Sequence, residues 1–333
     1  MIESSASERP NELTATRAFV TGCAGFIGSN LTDRLLANGW TVVGIDDFST
    51  GQRRYLESAA KSPAFRLVEA DLLDIDALTG AMRGADCVFH LAANADVRLG
   101  TAQPRKDLEQ NTVATHNVLE SMRANGITKI AFASTGSVYG EGAVFPTPED
   151  APFPIQTSLY GASKLACEGL IGAYCEGFGF QSWIFRFVSI LGERYSHGHV
   201  FDFYRQLRNH PTHLEVLGNG KQRKSYLYVQ DCLDAILLAL SRAAARVNLF
   251  NLGSDSYCEV NDSIRWIGAE LGLEPQLSYS GGERGWPGDN PFIFLDTTRI
   301  RALGWQPQLG IEAGIRRTVA FLRDNPWVLD SRS

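Results

Sequence analysis

The 333-residue sequence has no uninterrupted apolar run near the roughly 20 residues that a membrane-spanning helix requires. It also has no basic tract, and its 37 acidic residues outnumber its 31 basic ones, which gives a net charge of −6. Proteins that bind nucleic acids usually carry a clustered positive charge. We therefore expect neither a membrane nor a nucleic acid as a partner.

Paired cysteine motifs are also missing. The six cysteines occur singly, mostly in apolar segments, and none forms a C-x-x-C pair. Structural metal sites and disulfide-rich proteins show closer or more regular spacings. We predict buried free thiols in a reducing compartment, and therefore a cytoplasmic protein. The polar stretch 1–16 has no apolar core of the kind a signal peptide needs, and we expect a loose tail there.

Short apolar runs alternate with amphipathic stretches through the first 190 residues. The runs predict strands, and the stretches 111–125 and 159–178 predict helices. This alternation predicts an α/β fold with a doubly wound parallel sheet. Beyond residue 190 glycine, proline and aromatic residues become denser. We expect a cofactor domain over 17–190, to which 229–252 returns, and a smaller lobe formed by 191–228 and 253–333.

A glycine-rich segment, Thr21–Gly28, follows the first predicted strand and opens a helical pattern. Its spacing is G-x-x-G-x-x-G. Backbone N–H groups at a helix N-terminus, approached across glycines, form a binding site for a pyrophosphate. An ordinary tight turn would also explain the glycines if they stood alone.

The predicted second strand ends at Asp46, 18 residues after Gly28. A carboxylate at about this distance accepts hydrogen bonds from the adenosine ribose and repels a 2′-phosphate. Asp46 and Asp47 could also be plain turn residues. Together with the preceding glycines they predict NAD rather than NADP.

Tyr160 and Lys164 are four residues apart and share one face of a predicted helix. A phenol with a pKa near 10 is a poor base at neutral pH, but a neighbouring ammonium stabilises the phenolate. The phenolate can then take a proton from a sugar hydroxyl. Thr135, at the end of another predicted strand, can hydrogen-bond the same oxygen. A surface helix with an accidental Tyr/Lys pair explains this spacing alone, but not its combination with the glycines and Asp46.

The combined motifs resemble the extended short-chain dehydrogenase/reductases, in the branch of nucleotide-sugar epimerases and dehydratases. The resemblance covers nearly the whole chain. It implies a Rossmann domain with a smaller C-terminal α/β substrate lobe, NAD as cofactor, a nucleotide-diphosphate sugar as substrate and a homodimer formed through helices 111–125 and 159–178. The matching segments are T-G-C-A-G-F-I-G at 21–28, D-D-F-S-T-G at 46–51, D-L at 71–72, H-L-A-A at 90–93, S-T-G-S-V-Y-G at 134–140, Y-G-A-S-K at 160–164 and G-W at 304–305.

The resemblance also implies roles for individual residues. Tyr160 would be the catalytic base, Thr135 would orient the substrate, and Lys164 would stabilise the phenolate and bind the nicotinamide ribose. The implied cofactor-binding residues are Gly22, Gly25, Phe26, Ile27, Gly28, Asp46, Asp47, Ser49, Thr50, Gly51, Asp71, Leu72, Leu91, Ala92, Ala93, Asn111, Ser134, Tyr160, Lys164 and Phe187. The implied substrate-binding residues are Thr135, Gly136, Ser137, Ser189, His199, Val200, Arg223, Lys224 and Arg284.

The substrate half departs from the family pattern. Lys224 stands at the position of an arginine that contacts the substrate diphosphate, with Arg223 beside it, and the sequence leaves open which of them reaches the phosphate. A guanidinium would suit the phosphate better, because its planar donors can form two hydrogen bonds at once. Arg284 matches a second diphosphate-binding arginine, and Ser189 replaces a phosphate-contacting asparagine. His197 and His199 lack an acid to complete a set of ligands, so no metal is predicted.

The residues after Thr135 bear on the reaction. Dehydratases of this family usually follow the threonine with Asp-Glu, and decarboxylases carry an acid at the second position; here Gly136 and Ser137 follow. We therefore expect an epimerase, most simply one acting at C4 of a UDP-hexose through a 4-keto intermediate. The alternatives are a GDP- or CDP-linked hexose, heptose or octose as substrate, a dehydratase or decarboxylase activity, and a non-catalytic NAD-binding sensor.

Overall fold

The computed structural model describes residues 16–94, 99–152, 155–286 and 288–330. Most of the expected N-terminal tail, residues 1–15, lies outside the described residues. The strands are β1 Arg17–Thr21, β2 Thr41–Asp46, β3 Phe65–Glu69, β4 Cys87–His90, β5 Lys129–Thr135, β6 Gln181–Phe187, β7 Ser189–Leu191, β8 His213–Val216, β9 Arg223–Lys224, β10 Tyr226–Tyr228, β11 Val247–Leu252, β12 Cys258–Glu259, β13 Gln276–Tyr279 and β14 Phe292–Ile293. The helices are α1 Phe26–Ala37, α2 Ile75–Met82, α3 Leu99–Ala102, α4 Pro104–Asp107, α5 Ala114–Asn125, α6 Leu159–Phe178, α7 His199–Asn209, α8 Val229–Arg242, α9 Val260–Leu271, α10 Thr298–Ala302, α11 Ile311–Asp324 and α12 Trp327–Asp330, with a π-helical turn over Leu108–Val113.

Seven strands form one parallel sheet in the order β11-β6-β5-β4-β1-β2-β3. Strand β1 pairs with β2 on one side and with β4 on the other, so the direction of winding reverses beside β1. Doubly wound sheets bind ligands at this switch point, beyond the carboxyl ends of the strands. The predicted α/β class with a doubly wound parallel sheet is confirmed.

Helices cover both faces of this sheet, which explains why its strands are nearly continuous apolar runs. In β1, Ala18 and Val20 belong to one buried layer and Phe19 to the other. The first layer includes apolar side chains of α1 and α8, and the second includes side chains of α2, α5 and α6. The alternation of side chains along a strand thus ties two helical layers to one sheet.

The C-terminal part returns once to the large sheet. Helix α8 packs against α1, and β11 pairs in parallel with β6 at the sheet edge. Small sheets account for the other strands: β10 with β7, β12 with β9 and β14, and β13 with β8. Segments between them close over the carboxyl edge of the large sheet, where the candidate site lies.

All six cysteines lie in the described part of the chain and are buried free thiols, as predicted. Across the described ranges, every helix is too short or too polar to cross a membrane.

Candidate active site

A cavity of about 690 Å³ lies between the carboxyl edge of the sheet and the C-terminal segments. This volume falls in the usual range for small-molecule and cofactor sites. Most of the predicted site residues meet on its wall. Those on the wall are Gly22, Gly25, Phe26, Ile27, Gly28, Asp46, Asp47, Ser49, Thr50, Gly51, Asp71, Leu72, Leu91, Ala92, Ala93, Ser134, Thr135, Ser137, Tyr160, Lys164, Phe187, Ser189, His199 and Lys224.

The glycine-rich turn brings the start of α1 to the cavity. Gly22 has a φ of +67°, and a Cβ there would lie 2.9 Å from the backbone of Ala92. A Cβ at Gly28 would lie 2.0 Å from the carbonyl oxygen of Gly22. Helix α1 begins after Gly25 without a side-chain cap and has no acid in its first turn. Its first N–H groups are therefore available to an anion.

Asp46 is held in place by backbone donors at the end of β2. Its Oδ2 accepts from the Ala24 N–H at 2.8 Å and its Oδ1 from the Phe48 N–H at 2.9 Å. Burial raises the pKa of Asp46, and these two N–H groups oppose that rise. The next acid is committed elsewhere, since Asp47 Oδ1 accepts from both the N–H and the hydroxyl of Ser49. Asp46 is buried at the end of β2 and held in one orientation, whereas Asp47 is exposed, so Asp46 is the better placed of the two to accept from a ribose.

His90 connects the glycine-rich turn to the adjacent strand and helix. Thr21 Oγ1 accepts from the N–H groups of Leu91 and Ala92, so its own proton is donated to His90 Nδ1, 2.8 Å away. His90 Nε2–H then donates to Thr115 Oγ1 at 2.9 Å. Burial, and secondarily Lys164, lowers the pKa of His90 to about 3. The sequence motif gave this neutral histidine no role; its chain of hydrogen bonds fixes the cavity edge.

The three catalytic candidates lie together on the cavity wall. Thr135 ends β5, while Tyr160 and Lys164 lie one turn apart in the first turns of α6. Burial raises the pKa of Tyr160 to about 12, and a hydrogen bond with Thr135 pulls it down. Lys164 Nζ donates to the carbonyl oxygen of Ala133 at 2.9 Å. Burial lowers the pKa of Lys164 to about 8, so it still carries a proton at neutral pH.

Ser134 faces the cavity but its hydroxyl is engaged behind it. The hydroxyl donates to Glu168 Oε1. The Glu168 carboxylate also forms a buried ion pair with Arg186, whose Nη2 lies 2.7 Å from Oε2. Arg186 in turn donates to the hydroxyl of Tyr139 at 2.7 Å. Glu168 follows Lys164 by one helical turn, so this network fastens the catalytic helix to the end of β5.

Asn111 lies behind the described cavity wall instead of on it. Its Oδ1 accepts from the Asn94 N–H at 2.8 Å, and its Nδ2 donates to Ser163 Oγ at 2.9 Å. Ser163 Oγ donates to the carbonyl oxygen of Tyr160 at 2.8 Å. The π-helical turn at 108–113 contains Asn111. Asn111 therefore links the loop after β4 to the catalytic helix, and its contact with the cofactor stays a prediction.

The two basic residues between which the sequence could not choose point to opposite faces of strand β9. Lys224 faces the cavity, where its Nζ donates to Asp289 Oδ1 at 2.8 Å and to the carbonyl oxygen of Asn290. Arg223 points to the other face of the small sheet, and its guanidinium lies 4.0 Å from the ring centre of Phe292. Successive side chains of a strand point to opposite faces. Lys224 is therefore the better placed of the two for an anion in the cavity.

Three other predicted substrate residues lie off the described cavity wall. Arg284 is half exposed and pairs with Glu141. Gly136 lies against Ile293, where a Cβ would come within 3.3 Å of its side chain. Val200 is fully buried in the apolar core. An ion pair explains the position of Arg284, and packing explains the positions of Gly136 and Val200, so their contacts with the substrate stay predictions.

The wall also includes residues that the sequence did not single out. They fall into a group near the cofactor end and a group in the C-terminal segments. The described members with polar side chains are Asn94, Lys106, Gln110, Tyr195, Ser196, His197, Asp202, Arg205, Gln206, Glu215, Gln222, Tyr226, Trp286, Asp289 and Asn290. For Trp286 and Asp289, the surrounding glycines were the sequence signal that could have singled them out.

His199 makes protein contacts that account for both ring nitrogens. Its Nε2 lies 3.0 Å from Ser263 Oγ and its Nδ1 lies 3.1 Å from the hydroxyl of Tyr226. Burial, followed by Lys224, lowers its pKa to about 3. Within the described ranges, no cluster of three or more His, Cys, Asp or Glu residues could hold a metal ion.

Comparison with known proteins agrees with this geometry. The NAD dependent epimerase/dehydratase family matches residues 18–253. The UDP-glucose 4-epimerase of Mycolicibacterium smegmatis is 34% identical over 315 residues, covering 92% of this chain and 99% of the relative.

Solved structures of similar proteins share the whole fold. A crystal structure of a UDP-galactose 4-epimerase is 36% identical with a TM-score of 0.84, covering 94% of this chain and 100% of that one. The UDP-glucose 4-epimerase of Thermus thermophilus, solved in complex with NAD, is 30% identical with a TM-score of 0.82, covering 92% and 99%. The predicted family is confirmed: this chain belongs to the NAD-dependent epimerase/dehydratase family.

Proposed function

We propose that this protein is an NAD-dependent nucleotide-sugar epimerase that inverts C4 of a UDP-hexose through a 4-keto intermediate. The observation that carries the proposal is the convergence of Thr135, Tyr160 and Lys164 on the cavity wall that also carries the glycine-rich turn. The UDP-hexose assignment draws on the names of the similar proteins.

The residues present fit NAD. The uncapped start of α1 suits the pyrophosphate, Asp46 suits the adenosine ribose, and Ala92 and Ala93 leave room for a flat ring. Gln110 donates to Asp71 at 3.2 Å near the adenine end. When bound, NAD supplies a hydride acceptor that returns the hydride within the same turnover.

Tyr160 would take the proton of the sugar 4-hydroxyl. With a pKa raised to about 12, its phenol is protonated in the free protein at neutral pH. A positive charge added next to the ring favours the phenolate, and protonated Lys164 supports it. Thr135, whose hydroxyl lowers the pKa of Tyr160 and donates to Ser137 Oγ at 3.2 Å, is placed to hold the same substrate oxygen. After the C4 hydrogen has left and returned on the opposite face, Tyr160 gives the proton back.

An epimerase needs no further acid, and this favours it over the other reactions of the family. Dehydration requires an acid that protonates the departing hydroxyl group. Gly136 and Ser137 follow Thr135, and the acids on the described wall occur after β2 and β3 or in the C-terminal segments. We propose 191–228 and 253–330 as the lobe that holds the nucleotide diphosphate.

The proposal is tested by nuclear magnetic resonance of UDP-glucose or UDP-galactose incubated with the protein. We expect each sugar to be converted into the other. Tyr160→Phe should lower kcat by roughly 10²- to 10⁴-fold, the usual contribution of a general acid–base group. Tyr257→Phe is the matched control, because Tyr257 lies off the described cavity wall. Full activity in Tyr160→Phe would overturn the mechanism.

We also propose a homodimer formed through the outer surfaces of α5 and α6. Ala166, Gly169 and Ala173 form an exposed strip of small residues on α6, and Phe178 is 52% exposed. Light scattering should give about twice the mass of the chain. Ala166→Glu should yield monomers and Ala269→Glu, at an exposed position of α9, should not. A dimeric Ala166→Glu protein would refute this interface.

The buried free thiols support a cytoplasmic location.

A further inference from the structure

Residues 285–286 and 288–290 form one side of the substrate end of the cavity. Trp286, Asp289 and Asn290 all reach the cavity wall. The Gly285 N–H donates to Asp289 Oδ2 at 3.0 Å, and the Asp289 N–H donates to the carbonyl oxygen of Trp286 at 3.0 Å. These bonds give Trp286 a defined position relative to Asp289.

Asp289 joins these residues to Lys224. Its other oxygen, Oδ1, lies 2.8 Å from Lys224 Nζ, and both side chains are largely buried. Burial lowers the pKa of Lys224, and Asp289 counters that effect. An ammonium has three donors, and Asp289 and the carbonyl of Asn290 take two of them. The third can serve a ligand in the cavity.

The indole of Trp286 carries a second donor on the same wall. Its Nε1 is buried, and among the described residues it has no hydrogen-bond acceptor. A buried donor without an acceptor is costly in a folded protein. A ligand oxygen at this point would satisfy it. Gln222 Oε1 is a second buried polar atom on this wall that has no partner among the described residues.

We infer that Trp286 is a substrate-binding residue whose indole N–H donates to a diphosphate oxygen of the nucleotide sugar beside Lys224. This inference rests on the proposed function. Trp286 takes the role that the sequence suggested for Arg284, whose guanidinium is engaged by Glu141 outside the described wall. The diphosphate is then bound by one cation and one neutral donor instead of two guanidinium groups.

The test is calorimetric titration of the NAD-loaded protein with UDP. Trp286→Phe keeps an aromatic ring and removes the donor, and we expect about a tenfold rise in the Kd for UDP, the usual size of one hydrogen bond to a charged group. NAD affinity should not change. Trp266→Phe, in α9 and off the described wall, and Arg284→Gln should leave the Kd for UDP within about twofold.

Several results would overturn the inference. An unchanged Kd for UDP in Trp286→Phe would show that the indole N–H does not contact the diphosphate. A tenfold loss in Arg284→Gln would return the role to the arginine. If the wild-type protein binds GDP or CDP but not UDP, the UDP assignment is wrong, and the Trp286 contact is measured with that nucleotide in the same variants. Failure to bind any of the three would overturn the proposed function itself, which separates the two claims.

A measurement on the wild-type protein covers the case in which Trp286→Phe does not fold. The chain has six tryptophans, so a nitrogen-15 spectrum of the indole groups is simple to follow. UDP should shift one indole N–H signal strongly in the direction of a stronger hydrogen bond. A spectrum in which UDP binds and every indole signal stays in place would refute the proposed contact.

Discussion

The buried neutral His90 should make the folded protein sensitive to acid. Its pKa falls from 6.5 to about 3 on folding, because burial disfavours the charged ring. Between these values the unfolded chain binds one proton more than the folded chain, so the free energy of unfolding rises with pH in this window. The stabilisation is present above pH 6.5 and is lost as the pH falls from 6.5 toward 3.

The magnitude follows from the same shift. One proton of difference changes the free energy of unfolding by about 1.36 kcal/mol per pH unit. Integrated from pH 7 to pH 5 with an unfolded pKa of 6.5, His90 accounts for a loss of about 2 kcal/mol. His199, whose pKa also falls to about 3, contributes a similar loss.

The assay is urea denaturation of the wild-type protein and of His90→Gln at pH 7 and at pH 5. Glutamine lacks the titrating ring, so the wild-type protein should lose about 2 kcal/mol more than the variant between the two pH values. Other titrating groups act in both proteins and cancel in this comparison. A difference below about 0.5 kcal/mol would show that His90 is not held neutral as described.

Further predictions concern Glu168 and Asp46. Glu168→Gln leaves Arg186 buried without a counter-charge, so it should lower the free energy of unfolding in urea by roughly 3–5 kcal/mol. Glu176→Gln, which removes one partner of an exposed pair, is the control and should change it little. Equal stabilities of the two variants would refute the role of the buried pair. Asp46→Ala should raise the Kd for NAD by roughly tenfold or more in a fluorescence titration, because a hydrogen bond to a charged group is lost. Asp47→Ala should raise it less. A larger effect of Asp47→Ala would reverse the two assignments.

Most residues that the sequence predicted for the cofactor half lie on one cavity wall, and they could be selected because their signals are local. The glycines, Asp46, Thr135 and the Tyr160–Lys164 pair each follow a strand or share a helix turn, and the ends of parallel strands meet at one edge. Their meeting on one wall follows from the alternation of strands and helices.

The substrate half could not be predicted in the same way. The choice of Lys224 over Arg223 as the anion-binding residue depends on which face of β9 each occupies, and a two-residue strand gives no pattern to decide that. The choice between Arg284 and Trp286 depends on the ion pair of Lys224 with Asp289, which are 65 residues apart in the chain. The support that Asn111 gives to the loop after β4 could not be predicted either, because it is visible only in three dimensions.

The central claim is that Tyr160 takes the proton of the sugar 4-hydroxyl, and that the C4 hydrogen, for which bound NAD would be the hydride acceptor, returns to the same carbon. It is tested most directly with UDP-glucose deuterated at C4, in ordinary water, followed by nuclear magnetic resonance. The account predicts UDP-galactose that keeps the deuterium at C4 and gains no solvent hydrogen on the ring. Loss of the C4 label to solvent, or a product that has lost water or carbon dioxide, would contradict it.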